Sequence, residues 1–494
     1  MSNDSSGQIP RINKSERAAE FVPGLGSLWF PSYPAIMTSS VLLHCGDTPG
    51  YQSSGQAEAP HLLYFQVRPL CAPHPTTSLH EHPQETRTMI LPLLLLARLT
   101  SLAVGQSSST PNQALVIDQK SFNALKSVPP PSVSNLTTIF LPPGVTQEQA
   151  LAKPFHVYDD AFYDIIGSNP TLTVIASQGI NPLYHEAVVW YPPTDEVFFV
   201  QNAGATAAGT GLNKSNVIQK ISLSQVAQFS TQRNASGDIN VTTVNANPTV
   251  VNSNGATNYR GQFIYTGEGQ GNNTAPALYV MNPQQPYNTT VLVNNYYGRQ
   301  FNSLNDISVN PRNGDVYFTD TLYGYLQDFR PPPALPNQVY RFNPSTGAVT
   351  VVADGFDLPN GITFSPNGSY AYVTDTGAQY SFYGYNMTAP ASIYRFTVEA
   401  DGTFSNRKLF TYATPGVPDG IHCDTNGNVY AGLGDGVQVW NPSGTLLGKI
   451  FLGTTSANFN FAGKGRMVIC AETELFYATL AAEGAVVAGQ MPPM

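Results

Sequence analysis

Charge is scarce in this sequence. Only 11% of its 494 residues are Asp, Glu, Lys or Arg, with 23 basic against 32 acidic side chains and a formal net charge of −9. No long basic run occurs, and without clustered Lys and Arg there is little to grip a phosphate backbone, which argues against a nucleic-acid partner. Four cysteines in the whole chain are too few for a disulfide scaffold, and the sparse His and Cys do not cluster as zinc ligands do. A Gly-x-Ser-x-Gly elbow is absent, which disfavours a serine hydrolase. Gly267-x-Gly269-x-Gly271 lacks the strand-to-helix setting of a nucleotide site. What the chain does hold is Gly (42), Pro (40), Tyr (26) and Phe (25). That mixture predicts many short strands and turns rather than long amphipathic helices. The length predicts several domains, or one large repeat architecture with appendages.

One apolar run alters the reading of everything before it. Met89-Ile-Leu-Pro-Leu-Leu-Leu-Leu-Ala97 is followed by Arg98, then by Ala103-Val-Gly105 ahead of Gln106. A short apolar stretch ending in small residues is the pattern of a secretory signal peptide, and it is too short to span a membrane comfortably. Residues 89–105 are therefore expected to be a signal peptide, with Met89 the true start. Residues 1–88, rich in Ser, Pro, His and Gly, are expected to be a disordered or spurious upstream segment; the alternative is a buried segment of a genuine N-terminal domain. A secreted, extracellular protein with no membrane span in the mature chain follows. Eight Asn-x-Ser/Thr sequons after Gln106, at Asn135, Asn213, Asn234, Asn240, Asn272, Asn288, Asn367 and Asn386, fit N-glycosylation on that route. Cys423 and Cys470, the two cysteines of the mature chain, either pair or stay as buried thiols.

Residues 106–165 read as an N-terminal extension, proline-rich at Pro129-Pro130-Pro131 and Pro142-Pro143, with a short helix expected between Phe155 and Ile166. A different grammar then runs to the end. Strand-like runs such as Glu196–Val200, Asp315–Asp320, Tyr370–Asp375, Asn428–Gly432 and Arg466–Cys470 follow turns rich in Asn and Gly. Turns ending at Gly314, Gly368 and Gly427 recur at about the period of a propeller blade. The phrase Tyr-Arg-Phe also repeats, at Tyr340-Arg-Phe342 and Tyr394-Arg-Phe396. A sandwich of irregular hairpins would not repeat both phrases at this interval. Residues 166–494 are thus predicted to form an all-β, six-bladed β-propeller.

In a propeller the innermost strands begin around one mouth of a central channel. Four such starts carry oxygen donors: His185-Glu186 in blade one, Asn305-Asp306 in blade three, Pro359-Asn360-Gly361 in blade four and Pro418-Asp419-Gly420 in blade five. Carboxylates and amide carbonyls converging on one axis suit Ca²⁺ or another hard divalent cation. Asp320 and Asp375, at strand ends, read instead as structural turn acceptors. The only other histidines after residue 105 are His156 and His422. His185 adjoins Glu186 and His422 stands three positions after Asp419, offsets that on a strand aim each away from its acid.

These phrases resemble the metal-site motifs of the gluconolactonase/senescence-marker-protein family, relatives of the diisopropylfluorophosphatases and paraoxonases. The long form with its signal and extension looks most like the fungal secreted lactonohydrolases. The likeness runs over roughly residues 180–480 and departs from the family's usual Glu-Gly/Ser-Pro at Glu186-Ala187-Val188. It implies Glu186, Asn360 and Asp419 as calcium ligands, with Asn305 at the metal or the substrate. It further implies a calcium-dependent hydrolase that opens a lactone ring, with sugar, aldonate and pantoyl lactones as candidates. Calcium would polarise the lactone carbonyl, and Asp419 would act as general base or position the attacking water, with Asn305 beside it. Substrate contacts are expected from His185, His422 and Tyr323, the last within an insertion over that face. The alternatives are a phosphotriesterase or arylesterase using the same metal cup, and a propeller that binds a ligand without catalysis.

Overall fold

The structure is a computed structural model that describes residues 110–230 and 239–485. The upstream segment 1–88, the signal peptide 89–105 and the sequon at Asn234 lie outside the described residues. Six sheets surround one axis, and blades one to four are each an up-and-down meander of four consecutive strands. Blade one holds Glu186–Tyr191, Glu196–Val200, Ile218–Ser222 and Thr242–Val244, counting outward from the axis. Blade two holds Ser253–Tyr259, Gln262–Gly267, Ala277–Met281 and Thr289–Val293, and blade three Leu304–Val309, Val316–Asp320, Gln338–Phe342 and Val349–Ala353. Blade four comprises Pro359–Phe364, Tyr370–Asp375, Ser392–Val398 and Phe404–Tyr412. The strand-like runs seen in the sequence are the second strands of their blades, and both Tyr-Arg-Phe phrases are third strands.

Blade six closes the ring. Its strands Asn458–Phe461, Arg466–Ala471 and Glu474–Thr479 are completed by Thr171–Ser177 from the N-terminal side of the domain. Pairing the two ends of the propeller in one sheet ties first to last and leaves no open seam. Blade five is longer than the rest. Outside Leu446–Phe451 it adds Phe155–Val157 antiparallel and then Ala114–Val116 parallel. Here the structure corrects an expectation: the single helix between Phe155 and Ile166 is a strand, a turn and then a short helix, Phe162–Ile166. The reason is burial on both faces. Phe155, His156 and Val157 are all enclosed, whereas the helix sinks Phe162, Ile165 and Ile166 into the seam between blades five and six.

Hydrophobic clusters fill the seams between adjacent blades. Phe301, Phe318 and Tyr340 belong to the cluster joining blades two and three, with the Phe318 and Tyr340 rings stacked at 5.5 Å. The predicted glycine turns have the backbone they need, with φ of 71° at Gly314, 67° at Gly368 and 83° at Gly427, a region that side chains with a Cβ avoid. Cys423 and Cys470 are free, buried thiols. No helix among the described residues is long and apolar enough to cross a membrane.

Candidate functional site

The start of every innermost strand sends one oxygen-bearing side chain toward the axis. Glu186 comes from blade one, Asn254 from blade two, Asn305 from blade three, Asn360 from blade four, Asp419 from the segment entering blade five and Asn458 from blade six. The glutamate and the four asparagines are each 7% exposed or less. The Oδ1 atoms of Asn254, Asn305, Asn360, Asp419 and Asn458 are all buried without a hydrogen-bond partner. A buried polar atom left unpaired is destabilising by about 1–3 kcal/mol, so five around one axis require an explanation beyond folding. The ring is closely knit. Asp419 lies within hydrogen-bonding reach of the Asn360 amide and of Glu186, and Asn458 Nδ2 donates to Glu186 Oε2 at 2.5 Å.

A repeated device sets this geometry. Blades one to four all carry a register shift just after the strand begins, an irregularity that re-aims the side chain beside it. In blades two, three and four a buried threonine on the second strand fastens the shift. Thr266 accepts from Gly255 N at 2.7 Å and donates to the Asn305 carbonyl at 2.5 Å. Thr319 accepts from Asp306 N at 3.0 Å and donates to the Asn360 carbonyl at 2.7 Å. Thr374 accepts from Gly361 N at 2.6 Å and donates to the Asp419 carbonyl at 3.1 Å. Each threonine therefore locks its own blade and the site residue of the next. Glycine at 255 and 361 is required by the same crowding: a Cβ on Gly255 would stand 2.6 Å from the Asn305 carbonyl oxygen, and one on Gly361 would overlap the Asp419 carbonyl. Asp320 and Asp375 are turn acceptors as expected, taking backbone N–H groups from residues 302–303 and 357–358 respectively.

Above the ring lies a polar wall. His185 Nδ1 meets Glu472 Oε1 at 2.7 Å. Burial alone would push this imidazole down, but Glu472, with Asp419 and Glu268 nearby, holds it above the ordinary histidine value. Glu268 accepts from Ser303 Oγ at 2.5 Å and from Asn254 Nδ2 at 3.3 Å, and burial pushes its carboxyl up to about 7. Ser303 Oγ also receives Gly324 N at 2.9 Å, which ties the blade-three insertion to the ring. Tyr323, at the start of the insertion's helical turn, contacts Thr376 Oγ1 at 2.6 Å and lies near Asn360. Burial raises the carboxyls of both Glu186 and Asp419; Asp419 and Asp306 push Glu186 up further, whereas on Asp419 His185 pulls down, Glu472 pushes up, and hydrogen bonding with Asn360 and Glu186 pulls down. Two buried acids beside unpaired amide oxygens form a site that a cation would satisfy, since a nearby positive charge favours the ionised carboxylates. Among the described residues no group of three His, Cys, Asp or Glu side chains is arranged to hold a metal ion by itself; the donor set is amides plus two carboxylates, which suits a hard cation.

The structure places Glu186, Asn305, Asn360, Asp419, His185 and Tyr323 at this end of the channel. It does not bring His422 there. His422 lies further along its strand and lines a cavity of about 210 Å³ at the other end of the channel, with Trp190, Thr257, Ser308, Thr363 and Asn460. Its ring stands edge-on to Phe459 at 5.2 Å, and burial drives its pKa down to about 4. The offset of three from Asp419 carries it past the ring. Sequence reasoning missed Asn254, Asn458, Glu268 and Glu472. For Asn254 a signal was present: Asn254-Gly-Ala-Thr257 parallels Asn360-Gly-Ile-Thr363 and Asp419-Gly-Ile-His422.

Comparison with known proteins agrees with this architecture. The SMP-30/gluconolactonase/LRE-like region matches residues 240–473. Lactonohydrolase oryL of Aspergillus oryzae is 30% identical over 319 residues, covering 61% of this chain and 68% of that protein. The chain belongs to the SMP-30/gluconolactonase/LRE-like family. A second member, lactonohydrolase oryH of the same fungus, is 27% identical over 373 residues, covering 61% of this chain and 74% of the relative. Among solved structures, a gluconolactonase from Xanthomonas campestris superposes with a TM-score of 0.52 at 23% identity, covering 66% of this chain and 94% of its own. At that identity the likeness speaks for the fold.

Proposed function

We propose that this family member is a calcium-dependent lactonase that opens a cyclic ester to its hydroxy acid. The observation that carries the reading is the ring of buried, unpartnered oxygens at the channel mouth, in a chain whose relatives are lactonohydrolases. Glu186, Asn360 and Asp419 would hold the cation, with Asn305 completing the set or facing the substrate. The donors fit calcium, which takes six to eight oxygen ligands in flexible geometry. Bound there, the ion supplies positive charge that polarises the lactone carbonyl and stabilises the developing oxyanion.

The chain's own residues do the remaining work. Asp419, its backbone carbonyl fixed by Thr374, orients the attacking water and accepts its proton. The water oxygen bonds to the acyl carbon, the ring C–O bond breaks, and the proton passes to the departing alkoxide. Tyr323 and the His185–Glu472 pair form the walls that seat the ring. Seven described sequon asparagines, Asn135, Asn213, Asn240, Asn272, Asn288, Asn367 and Asn386, are exposed, which supports a glycosylated, secreted protein.

The test is proton release from glucono-1,5-lactone and pantoyl lactone, with calcium, with a chelator, and with Asp419→Asn. Calcium-dependent acid release that disappears in the variant is the expected result. Hydrolysis that persists in chelator and in Asp419→Asn would overturn the metal assignment. Calcium binding with no turnover of any lactone would overturn the reaction.

A further inference from the structure

The loops over the channel mouth are unevenly distributed. Blades one to four carry long connections after their second strands, at residues 201–217, 268–276, 321–337 and 376–391, whereas blades five and six turn back within two residues there, at 434–435 and 472–473. The face over Asp419 therefore receives little cover from its own blade. It is the N-terminal extension that reaches it. Between its strands Ala114–Val116 and Phe155–Val157, both bound to the outer edge of blade five, the extension makes a 38-residue excursion, residues 117–154. Excursions of this length inside a compact domain are uncommon and usually serve a function.

At its far point the excursion inserts Leu136, 5% exposed, among Ala378 and Ala391 of the blade-four loop and Val417. The Leu136 carbonyl accepts the Gly416 N–H at 2.7 Å. Those contacts fall on the segment that delivers Asp419. Along it, Pro415 is tied through its carbonyl to Gly434 N at 2.9 Å, and Asp419 N to the Gly432 carbonyl at 2.9 Å. Between them Pro418 has no N–H to give. Leu136 thus supplies the backbone anchor at Gly416 and the apolar contact at Val417. The loop around Leu136 is shaped for this insertion, since Asn135 Oδ1 accepts from Thr137 N at 3.0 Å and from Thr138 Oγ1 at 3.0 Å.

We propose that the N-terminal extension is part of the catalytic apparatus: Leu136 is a positioning residue that clamps the 416–419 segment and so fixes the Asp419 carboxylate in the ring. This rests on the reading of Asp419 as a cation ligand, but the clamp itself can be tested without the ion. The experiment compares the full chain with Leu136→Ala, Leu136→Met and Phe140→Ala, the last an exposed position on the same excursion. Hydrogen–deuterium exchange of the calcium-free proteins is followed at residues 413–420, and calcium affinity is measured by titration calorimetry. In Leu136→Ala the Gly416 amide should exchange about tenfold faster or more, while residues 429–440 of the same blade stay protected. Calcium should bind about five- to tenfold more weakly, since a looser ligand must be ordered on binding. Leu136→Met, of similar volume, should restore both, and Phe140→Ala should change neither. Unchanged exchange at 413–420 in Leu136→Ala overturns the clamp, as does faster exchange with calcium affinity intact. If the parent protein binds no calcium while exchange responds as described, the clamp stands as a structural device and the assignment of Asp419 as a ligand fails.

Discussion

Thr374→Val isolates the linkage between blades four and five. Valine keeps nearly the shape of threonine but removes the hydroxyl, and Thr374 is fully buried, so water cannot replace what is lost. Two groups lose their partner together: the Gly361 N–H, now 2.6 Å from Oγ1, and the Asp419 carbonyl, now 3.1 Å from it. Leaving a buried donor or acceptor unsatisfied costs about 1–3 kcal/mol, which puts the pair at about 3 kcal/mol after partial relaxation. With unfolding entropy of about 2 cal/mol/K per residue, a domain of about 370 residues has about 0.8 kcal/mol/K, so the melting temperature should fall by about 4 °C. Thr374→Ser is the decisive companion, because it keeps both hydrogen bonds and sacrifices only a methyl group, about 1 kcal/mol. Thermal unfolding and calcium titration read both variants. Valine should be clearly worse than serine in stability, and it alone should weaken calcium binding, because the Asp419 backbone is then released. If the two variants are indistinguishable, or serine is the worse, the threonine acts by packing and the account of how the ring is locked is wrong.

Three further expectations come from the same geometry. The Glu268 carboxyl is pushed up to about 7 from 4.5 by burial, so the folded state resists an ionisation that the unfolded chain undergoes freely. Stability is lost as pH rises from about 4.5 to 7, by up to about 3 kcal/mol; Glu268→Gln should therefore raise the melting temperature at pH 8 and change it little at pH 5, and an equal effect at both would refute this. His422 has the opposite dependence. Its pKa falls from 6.5 to about 4, so the unfolded chain takes up a proton first and stability drops as pH falls through that window, by about 3 kcal/mol. Melting curves of a His422→Asn variant should lose less between pH 7 and 4.5 than those of the parent. Tyr323→Phe removes the contact to Thr376 Oγ1 while leaving the aromatic wall. A fall of about tenfold in kcat/KM with calcium affinity unchanged is expected if the hydroxyl seats the substrate, and a loss of calcium affinity instead would place it with the ring.

Much of the architecture is legible because a propeller writes its period into the chain. Asn-Gly turns before the second strands and the two Tyr-Arg-Phe phrases mark blades three to five, where the repeat is purest. Blade two and blade six are harder to see. Ser253-Asn-Gly-Ala-Thr257 sits in a strand of small and polar residues, buried at every position, so it shows none of the alternation that betrays a half-exposed strand. Asn458 begins a four-residue strand with no glycine beside it. Glu472 stands in the tight turn of blade six and meets His185 across 287 positions of sequence, a separation no local pattern can report. The helix expected over 155–166 failed for a related reason: Phe155–Val157 is extended only because blade five offers it an edge, and that edge is nearly three hundred residues away.

The composition of the ring explains why asparagine dominates it. Burial already raises the Glu186 carboxyl, and Asp419 and Asp306 raise it further. A carboxylate in each remaining blade would multiply that repulsion inside a buried channel, where it is least screened. Amide oxygens present the same lone pairs without the charge. The four asparagines thus leave the ring short of hydrogen bonds rather than overloaded with like charges, a deficit that a cation or a substrate hydroxyl can relieve and that the fold tolerates because Thr266, Thr319 and Thr374 hold the backbone regardless. Rigidity comes from the threonines, hunger for positive charge from the two acids. On blade five, where the innermost strand is short, no threonine precedes the next site residue in the same way; there Leu136 of the N-terminal extension packs beside Val417 and accepts from Gly416 N, on the segment that carries Asp419.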